Sequence, residues 1–429
     1  MTYAIFGYLI VFTLLFCLMR GKAAPIPLFC FVPIVGALLA GYSPTEVNGF
    51  VVKGMQTVVG TAVLLSFSVI YFLIMNEVGI FDPLVEYLAK HAGNNVVAVT
   101  VTSAIVAIIA HIEGATAATV LVTIPAMLPL YKRLNIRPEA LLTIVAIGMG
   151  VMNLLPWGGP TARLSAILGI GVAELWRHLI PTQVFGCIVV LTCAAAIGML
   201  EKRRGAGHVQ SADEVAPTIV EHRRITPKLI FNLLLTVVLI WTLSSGKFQA
   251  YVLFMFATGI ALFVNFKTLK EQEEAIKRGA TPAFLIAATM MAAGVFVGVL
   301  NQTPMMHEMA NMLISSVPVF LLKYLHIILG LFAAPIGMAT GTDAFFFGIV
   351  PLFVAAGSGI GISAESVGYA ALLGKNTGVL ISPLTPATFI AIGLAGVELK
   401  DHIKYAFPWV MLVSALSIAF GVITGLIKV

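Results

Sequence analysis

The sequence predicts an all-α polytopic membrane protein made of two inverted repeats of five spans, each with a re-entrant hairpin and a broken helix. Hydrophobic residues make up 59% of the 429 residues and charged residues only 10%, whereas about a quarter of a soluble domain is charged. Two strings, GVMNLLPWGGPTAR at 150–163 and GKNTGVLISPLTPAT at 374–388, place proline and glycine inside long apolar segments. Because proline lacks an amide donor and glycine loosens the backbone, neither segment can continue as one helix.

The first repeat, residues 1–200, is predicted to contain three spans, an interfacial arm, a hairpin, a broken helix and a last span. The arm is amphipathic, which is typical of a helix lying along the membrane surface. The hairpin is predicted because two apolar stretches, each near or below the ~20 residues needed to cross, flank a polar tip. In order, these elements lie at about 2–19, 24–41, 50–79, 81–91, 95–131 (tip at 113–116), 138–170 and 180–200.

The second repeat, residues 228–429, follows a polar linker at 201–227 and shows the same order of elements. Its hairpin tip is predicted at Thr340–Asp343. Glu174, His178 and Thr161 recur at one common offset as Glu398, His402 and Thr385, and such weak internal repeats are typical of transporters. The elements lie at about 228–244, 248–266, 282–300, 304–314, 320–355, 363–393 and 405–427.

The distribution of basic residues predicts the orientation. Five complete crossings per repeat is an odd number, so the second repeat must be inverted relative to the first. With the basic linker placed inside, most lysines and arginines fall on the cytoplasmic side, as the positive-inside rule requires. The prediction is a multi-pass protein of the bacterial cytoplasmic (inner) membrane with both termini outside. Basic residues in loops between apolar segments do not indicate nucleic-acid binding.

The two broken helices indicate a transporter. Irregular backbone at membrane depth is tolerated where it lines a cavity or is buried in protein, and a pair of interrupted helices in corresponding halves points to a midplane binding site. Kinked structural helices are the alternative. The chain contains neither HExxH nor GxSxG, which argues against a membrane enzyme. An anion channel, which would favour a continuous polar path, is a further alternative.

Four strings carry a resemblance to a known family: NLLPWGGPTAR, GTDAFFFGIVPL, SPLTPAT and GLAGVELKDH. They resemble the citrate–metal–proton symporter (CitMHS) family of the ion transporter superfamily. The resemblance implies proton-driven transport of citrate, classically as a complex with a divalent metal. It also implies a scaffold and a mobile transport domain, a homodimer and an elevator-like motion. The chain departs from the family at its first tip, HIEGATA, and at Lys375, where the family usually has Gln.

A carboxylate substrate in the lipid bilayer needs donors that replace its lost water. Helix N-termini at the tips and breaks would supply backbone amides, and small polar side chains would add further hydrogen bonds. A structural role, in which these side chains cap the breaks, is the alternative for each. The predicted substrate-binding residues are Thr116, Asn153, Gly158, Gly159, Thr161, Thr342, Lys375, Asn376, Thr377, Ser382, Thr385 and Thr388.

The predicted sites for a metal or coupling ion are Asp343, Glu113 and His111. Ionisable groups at membrane depth are costly and usually functional. Asp343 could bind a cation or carry a proton, or could cap the second helix of its hairpin. Lys375 could pair with Asp343 or with a substrate carboxylate. Arg163 could snorkel to the interface or contact the substrate directly. No covalently bound cofactor is expected; Mg²⁺ or Ca²⁺ with the substrate, H⁺ or Na⁺ as coupling ion, and a different organic anion without a metal all remain open.

Overall fold

The computed structural model describes residues 2–20, 23–207 and 226–429, and within them the chain folds into helices joined by short loops. The predicted all-α membrane fold is confirmed at this level. The first half contains α1 (Thr2–Met19), α2 (Pro25–Leu39), α3 (Pro44–Val78), α4 (Asp82–His91), α5 (Val96–Ala110), α6 (Thr116–Arg133), α7 (Pro138–Met152), α8 (Gly159–Leu168) and α9 (Val172–Arg203).

The second half presents a comparable series of elements. Of the predicted linker, residues 208–225 lie outside the described part of the chain. The helices are α10 (Pro227–Ser245), α11 (Ala250–Asn265), α12 (Leu269–Gln302), α13 (Met305–Ser316), α14 (Val319–Leu322), α15 (Leu325–Thr340), α16 (Val350–Gly359), α17 (Ala364–Lys375), α18 (Pro386–Ala395) and α19 (Leu399–Ile423).

Seven helical segments in the described residues are long and apolar enough to cross a membrane. They include α1, α3, α9, α10, α12 and α19, together with α5 and the turn that follows it. An eighth span results if α17, the short helical turn after it, and α18 count as one broken span, bent by 46°. The shorter apolar helices, among them α2, α7, α11 and α15, fill the space between the long ones.

Several long helices begin earlier than the sequence pattern predicts. The third span begins at Pro44 rather than near 50, because Ser43 and Glu46 form a capping box around its first turn. Thr268 and Glu271 form a second capping box, so α12 begins at Leu269 rather than near 282. Similarly, α9 and α19 start at Val172 and Leu399. The apolar pattern detects only the part of a helix that contacts lipid. The helix itself begins earlier, at a capping residue that precedes one or more polar turns.

Helices α3 and α12 cross at close range and form one wall of the molecule. A Cβ atom added to Gly54 would lie 2.0 Å from the carbonyl oxygen of Gly294 and 2.5 Å from the Cα of Gly298. Only glycine permits this approach, as in membrane helix pairs that use small residues at their contact. The wall therefore has a fixed shape against which the tips and breaks are placed.

Candidate substrate cavity

A cavity of about 720 Å³ lies where both tips and both breaks face the α3–α12 wall. This volume is in the range of small-molecule sites. The first tip contributes 113–118 and the second 341–343, whereas the breaks contribute residues on either side of Gly159 and Thr385. The opposite wall consists of Leu65, Ser68, Val69, Phe72, Leu73 and Asn76 of α3 with Pro282 and Ile286 of α12.

Three helices begin at this cavity. The first turns of α6, α8 and α18 line it, and the residues before them, Ala115, Gly158 and Thr385, make no side-chain cap. The first amides of a helix have no partner within the helix, and its N-terminus carries a partial positive charge. The cavity is therefore suited to an anion, with α6 offering the amides of Thr116, Ala117 and Ala118.

The first break is held open by contacts within its own turn. Thr161 Oγ1 donates to the carbonyl of Asn153 at 2.8 Å, and a Cβ on Gly158 would lie 2.3 Å from that same oxygen. Trp157 Nε1 donates to the carbonyl of Ile112 at 2.7 Å, and its ring packs on Phe72 at 5.2 Å. Gly158 and Thr161 thus shape the turn, and Trp157 joins it to the first tip.

The second break is anchored by side chains that point away from the cavity. Thr377 Oγ1 hydrogen-bonds with Ser414 Oγ at 2.5 Å, and Ser382 Oγ donates to the carbonyl of Met338 at 2.9 Å. Thr388 and Asn376 are buried, and neither the Thr388 hydroxyl nor the two polar atoms of Asn376 has a hydrogen-bond partner. Of this break, Thr385 and its neighbours reach the cavity.

The two breaks touch each other at Gly150. A Cβ at this position would lie 2.4 Å from the Cα of Thr377 and 3.0 Å from the carbonyl oxygen of Asn376. The end of α7 therefore packs directly on the backbone of the second break. This contact fixes the relative position of the two irregular segments that border the cavity.

His111 lies behind the first tip and is fully buried. Its Nδ1 lies 2.6 Å from Thr119 Oγ1 and its Nε2 lies 3.1 Å from Asn153 Oδ1. The imidazole thus bridges the first hairpin and the first break. Asn153 in turn lines the cavity, so His111 can influence a ligand by orienting this amide.

An ion pair joins the first break to the second tip. Arg163 Nε donates to Asp343 Oδ1 at 2.7 Å, and Nη2 forms an ion pair with the same oxygen at 2.7 Å. Both residues line the cavity. The Asp343 side chain does not cap the following helix. Arg163, for which snorkelling and substrate contact were both considered, lines the cavity and faces a carboxylate from the other half of the chain.

Lys375 lies beneath the second tip, 2% exposed. Its Nζ donates to Thr342 Oγ1 at 2.5 Å, and its stem packs on Gly337. Thr342 lines the cavity, whereas Lys375 lies behind it. Glu113, 9% exposed, lines the cavity from the first tip. No three His, Cys, Asp or Glu side chains gather into a metal-binding group in the described residues.

The cavity brings together seven of the predicted site residues and leaves the others behind its walls. Sequence reasoning missed the opposite wall, although polar residues recur there on one face of α3. Lining residues are Glu113, Thr116, Asn153, Gly159, Thr342, Asp343 and Thr385; the others are His111, Gly158, Thr161, Lys375, Asn376, Thr377, Ser382 and Thr388.

The fold is that of a polytopic membrane transporter. It is similar to the YdaH transporter of Alcanivorax borkumensis, with a TM-score of 0.69 and 15% identity, covering 94% of this chain and 99% of the other. It is also similar to MtrF of Neisseria gonorrhoeae, with a TM-score of 0.66 and 14% identity over 94% and 96% of the two chains.

The chain belongs to the CitMHS family, described as citrate transporters, whose family model matches residues 8–374. A Bacillus subtilis (strain 168) protein named "Citrate transporter" is 34% identical over 99% of both chains. A second protein from this strain, named "Mg(2+)/citrate complex secondary transporter", is also 34% identical over 99% of both. The resemblance to CitMHS predicted from four strings is confirmed, and the family consists of transporters rather than enzymes.

Proposed function

We propose that this chain is a secondary transporter that carries citrate or a related di- or tricarboxylate across the bacterial cytoplasmic membrane. The observation that carries the proposal is the cavity at which α6, α8 and α18 begin without side-chain caps. Backbone amides and dipole ends can replace the water that a carboxylate loses. Two relatives bear names that specify citrate, which agrees with this choice.

The proposed cargo includes a divalent metal, Mg²⁺ or Ca²⁺, bound to the carboxylate. Two carboxylates, Asp343 and Glu113, line the cavity from opposite tips. A hard cation needs six or more oxygen ligands, so the substrate would supply the rest. A relative named for an Mg²⁺/citrate complex agrees with this proposal. The second candidate is a metal-free carboxylate, which the buried amino group of Lys375 behind the second tip would favour when it is protonated.

The proposed mechanism is alternating access of the elevator type in a homodimer. The α3–α12 wall would stay in place while the tips and breaks move past it. Uptake would be coupled to H⁺ or Na⁺, with Asp343 and Glu113 as the groups that bind the coupling ion. The proposed orientation places the 201–227 linker inside and both termini outside.

Counterflow in proteoliposomes tests the proposal. Vesicles loaded with unlabelled citrate and Mg²⁺ should accumulate labelled citrate transiently, and the initial rate should saturate with external citrate. A transporter shows this exchange because each cycle returns a loaded site, whereas a channel shows none. Flux that rises linearly with citrate, or no exchange with any di- or tricarboxylate, would refute the proposal.

A further inference from the structure

A second cavity of about 340 Å³ lies between α3, the corner joining α8 to α9, and the loop before α11. Hydroxyl and amide groups are prominent in its lining, including Gln56, Thr61 and Gln249. The volume would admit a small molecule. It lies outside the central cavity described above, and none of the predicted site residues lines it.

The two cavities follow one another along a single face of α3. Gln56, Thr57, Gly60, Thr61 and Leu64 line the second cavity, and Leu65, Ser68, Val69, Phe72, Leu73 and Asn76 line the central one. Residues three or four apart lie on one side of a helix. The midpoints of the two sets lie about 16 Å apart along the helix axis, at 1.5 Å per residue.

Helix α8, which faces α3 across both cavities, shows the same spatial order. Gly159, Pro160 and Arg163 of α8 line the central cavity. Ser165 and residues 169–172 beyond it line the second one. Helices α3 and α8 therefore both line the two cavities, which lie one after the other along the axis of α3.

An apolar contact separates the two cavities in this structure. Leu64 and Leu65 are 1% and 3% exposed. Leu65 belongs to one buried apolar cluster with Ala162 and Ala166, and Leu64 belongs to another with Leu164. Because these side chains offer no hydrogen bonds, a carboxylate cannot cross the contact without a large desolvation cost. The barrier is therefore closed.

The second cavity has features that suit an anion. The residues before α9 and α11, Gly171 and Gln249, make no side-chain cap, and both border the cavity. The guanidinium of Arg177 packs against Gly246 in the loop before α11. These features support an anionic ligand, and the alignment with the central cavity indicates where that ligand would come from.

We infer that the second cavity is a vestibule through which the carboxylate enters or leaves on the membrane side toward the start of α3, whereas the central cavity is reached from the side toward Asn76. The inference rests on the proposed function. In the transport cycle, the contact of Leu64 and Leu65 with α8 opens or is bypassed. The ligand then exchanges the central lining of α3 for the lining around Thr61.

Side-specific labelling tests the position of the vestibule. In a chain whose four native cysteines are replaced by alanine, Thr61→Cys should react with a membrane-impermeant methanethiosulfonate reagent from one side only. Asn76→Cys, at the other end of the same face, should react only from the opposite side. Reaction of both cysteines from the same side, or no reaction of Thr61→Cys from either side, would overturn the inference.

Blocking the vestibule tests its role. Labelling the folded Thr61→Cys protein, or the substitution Thr61→Trp, should lower citrate counterflow at least tenfold while citrate still raises the melting temperature. Val59→Trp is the matched control, because Val59 is 46% exposed on the same helix and lines neither cavity. Wild-type counterflow in the blocked proteins would overturn the inference. Absence of citrate counterflow in the wild-type protein would instead refute the proposed function.

Discussion

Arg163 and Asp343 form a contact between the two halves of the chain that decides how charge is arranged in the cavity. Arg163 Nε donates to Oδ1, and Nη2 lies 2.7 Å from the same oxygen, so we expect Oδ2 to be the oxygen that receives a cation or a proton. The same guanidinium could also receive a substrate carboxylate once Asp343 moves away. We therefore expect the pair to link ligand occupancy to the position of the second tip.

Removing either charge should lower uptake, and removing both should lower uptake while restoring part of the lost stability. We expect Arg163→Gln and Asp343→Asn each to lower uptake at least tenfold, equivalent to about 1.4 kcal/mol. Each single change leaves a charge unpaired in a partly buried site, which is costly. The double variant removes this cost, so its melting temperature should exceed that of either single variant, although uptake stays low.

Thermal melts and uptake of the three variants measured side by side separate the two roles. Near-normal uptake by the double variant would mean that the pair is only structural. Additive losses of melting temperature in the double variant would mean that the two side chains are not coupled.

Residue types indicated the chemistry of the site, but the chain positions could not reveal which side chains meet. Arg163 was expected to snorkel or to contact the substrate, and its pairing with Asp343 was missed because that partner is 180 positions away. Thr377 and Ser382 were grouped with the cavity residues, yet their hydroxyls bond to Ser414 and Met338. A threonine that stabilises a break and a threonine that faces a ligand look alike in sequence, since both occur beside the proline and glycine residues of a broken helix.

At the scale of helices, the contact between the two breaks depends on one glycine. We expect Gly150→Ala to lower uptake at least tenfold, because a Cβ 2.4 Å from the Cα of Thr377 must push the breaks apart. Overpacking of this kind costs about 1–3 kcal/mol. Proteoliposome uptake at saturating citrate measures the effect.

Gly148→Ala is the matched control on the same helix. Its nearest neighbour would be Ala107 Cβ at 3.4 Å, which is ordinary contact. Equal uptake by the Gly150 and Gly148 variants would contradict the view that the crossing of the breaks positions the cavity.

Helix interiors were easier to predict than helix ends. The apolar stretch near 2–19 and the amphipathic pieces near 81–91 and 304–314 correspond closely to α1, α4 and α13. The starts of α3 and α12 were missed because capping boxes at Ser43 and Thr268 add turns outside the apolar stretch. The short helix α14 was missed as well, since four residues carry too little periodicity to stand out.

For the molecule as a whole, the rigidity of the α3–α12 wall is a second testable feature. We expect Gly54→Ala to destabilise the protein by about 1–3 kcal/mol, because the added methyl group would overlap Gly294 and Gly298. Gly49→Ala on the same helix, with nothing within 4 Å of its Cβ, should leave the melting temperature unchanged or slightly higher. Equal melting temperatures of the two variants would show that α3 and α12 can move apart without loss of stability.

The all-α membrane class and the CitMHS family could be predicted from the sequence, because composition and four strings carry that information locally. The inverted orientation of the halves stays a prediction, as do the elevator motion and the homodimer. The wall facing the breaks could not be found, since the face of α3 that lines both cavities mixes Thr61, Ser68 and Asn76 with leucine and phenylalanine. Such a face resembles any buried helix surface.

The overall charge of the cavity predicts how the cargo is selected. Arg163 is paired with Asp343, and Glu113 adds a further carboxylate. A bare tricarboxylate would therefore bring its negative charges next to the Asp343 and Glu113 carboxyl groups, whereas a bound divalent metal cancels most of its charge. We expect citrate with Mg²⁺ to raise the melting temperature more than citrate alone or Mg²⁺ alone, since a ligand that binds the folded state stabilises it.

The metal preference should depend on the cavity carboxylates. In Glu113→Gln, the cavity loses one of its two carboxyl groups that could bind a cation, so the additional shift that Mg²⁺ causes in the presence of citrate should be smaller than in the wild type. Glu398→Gln is a matched control, because Glu398 lies outside the cavity and pairs with Lys400 at the protein surface. Equal shifts with and without Mg²⁺ in the wild type would favour the metal-free carboxylate, since the lining would then accept the bare anion.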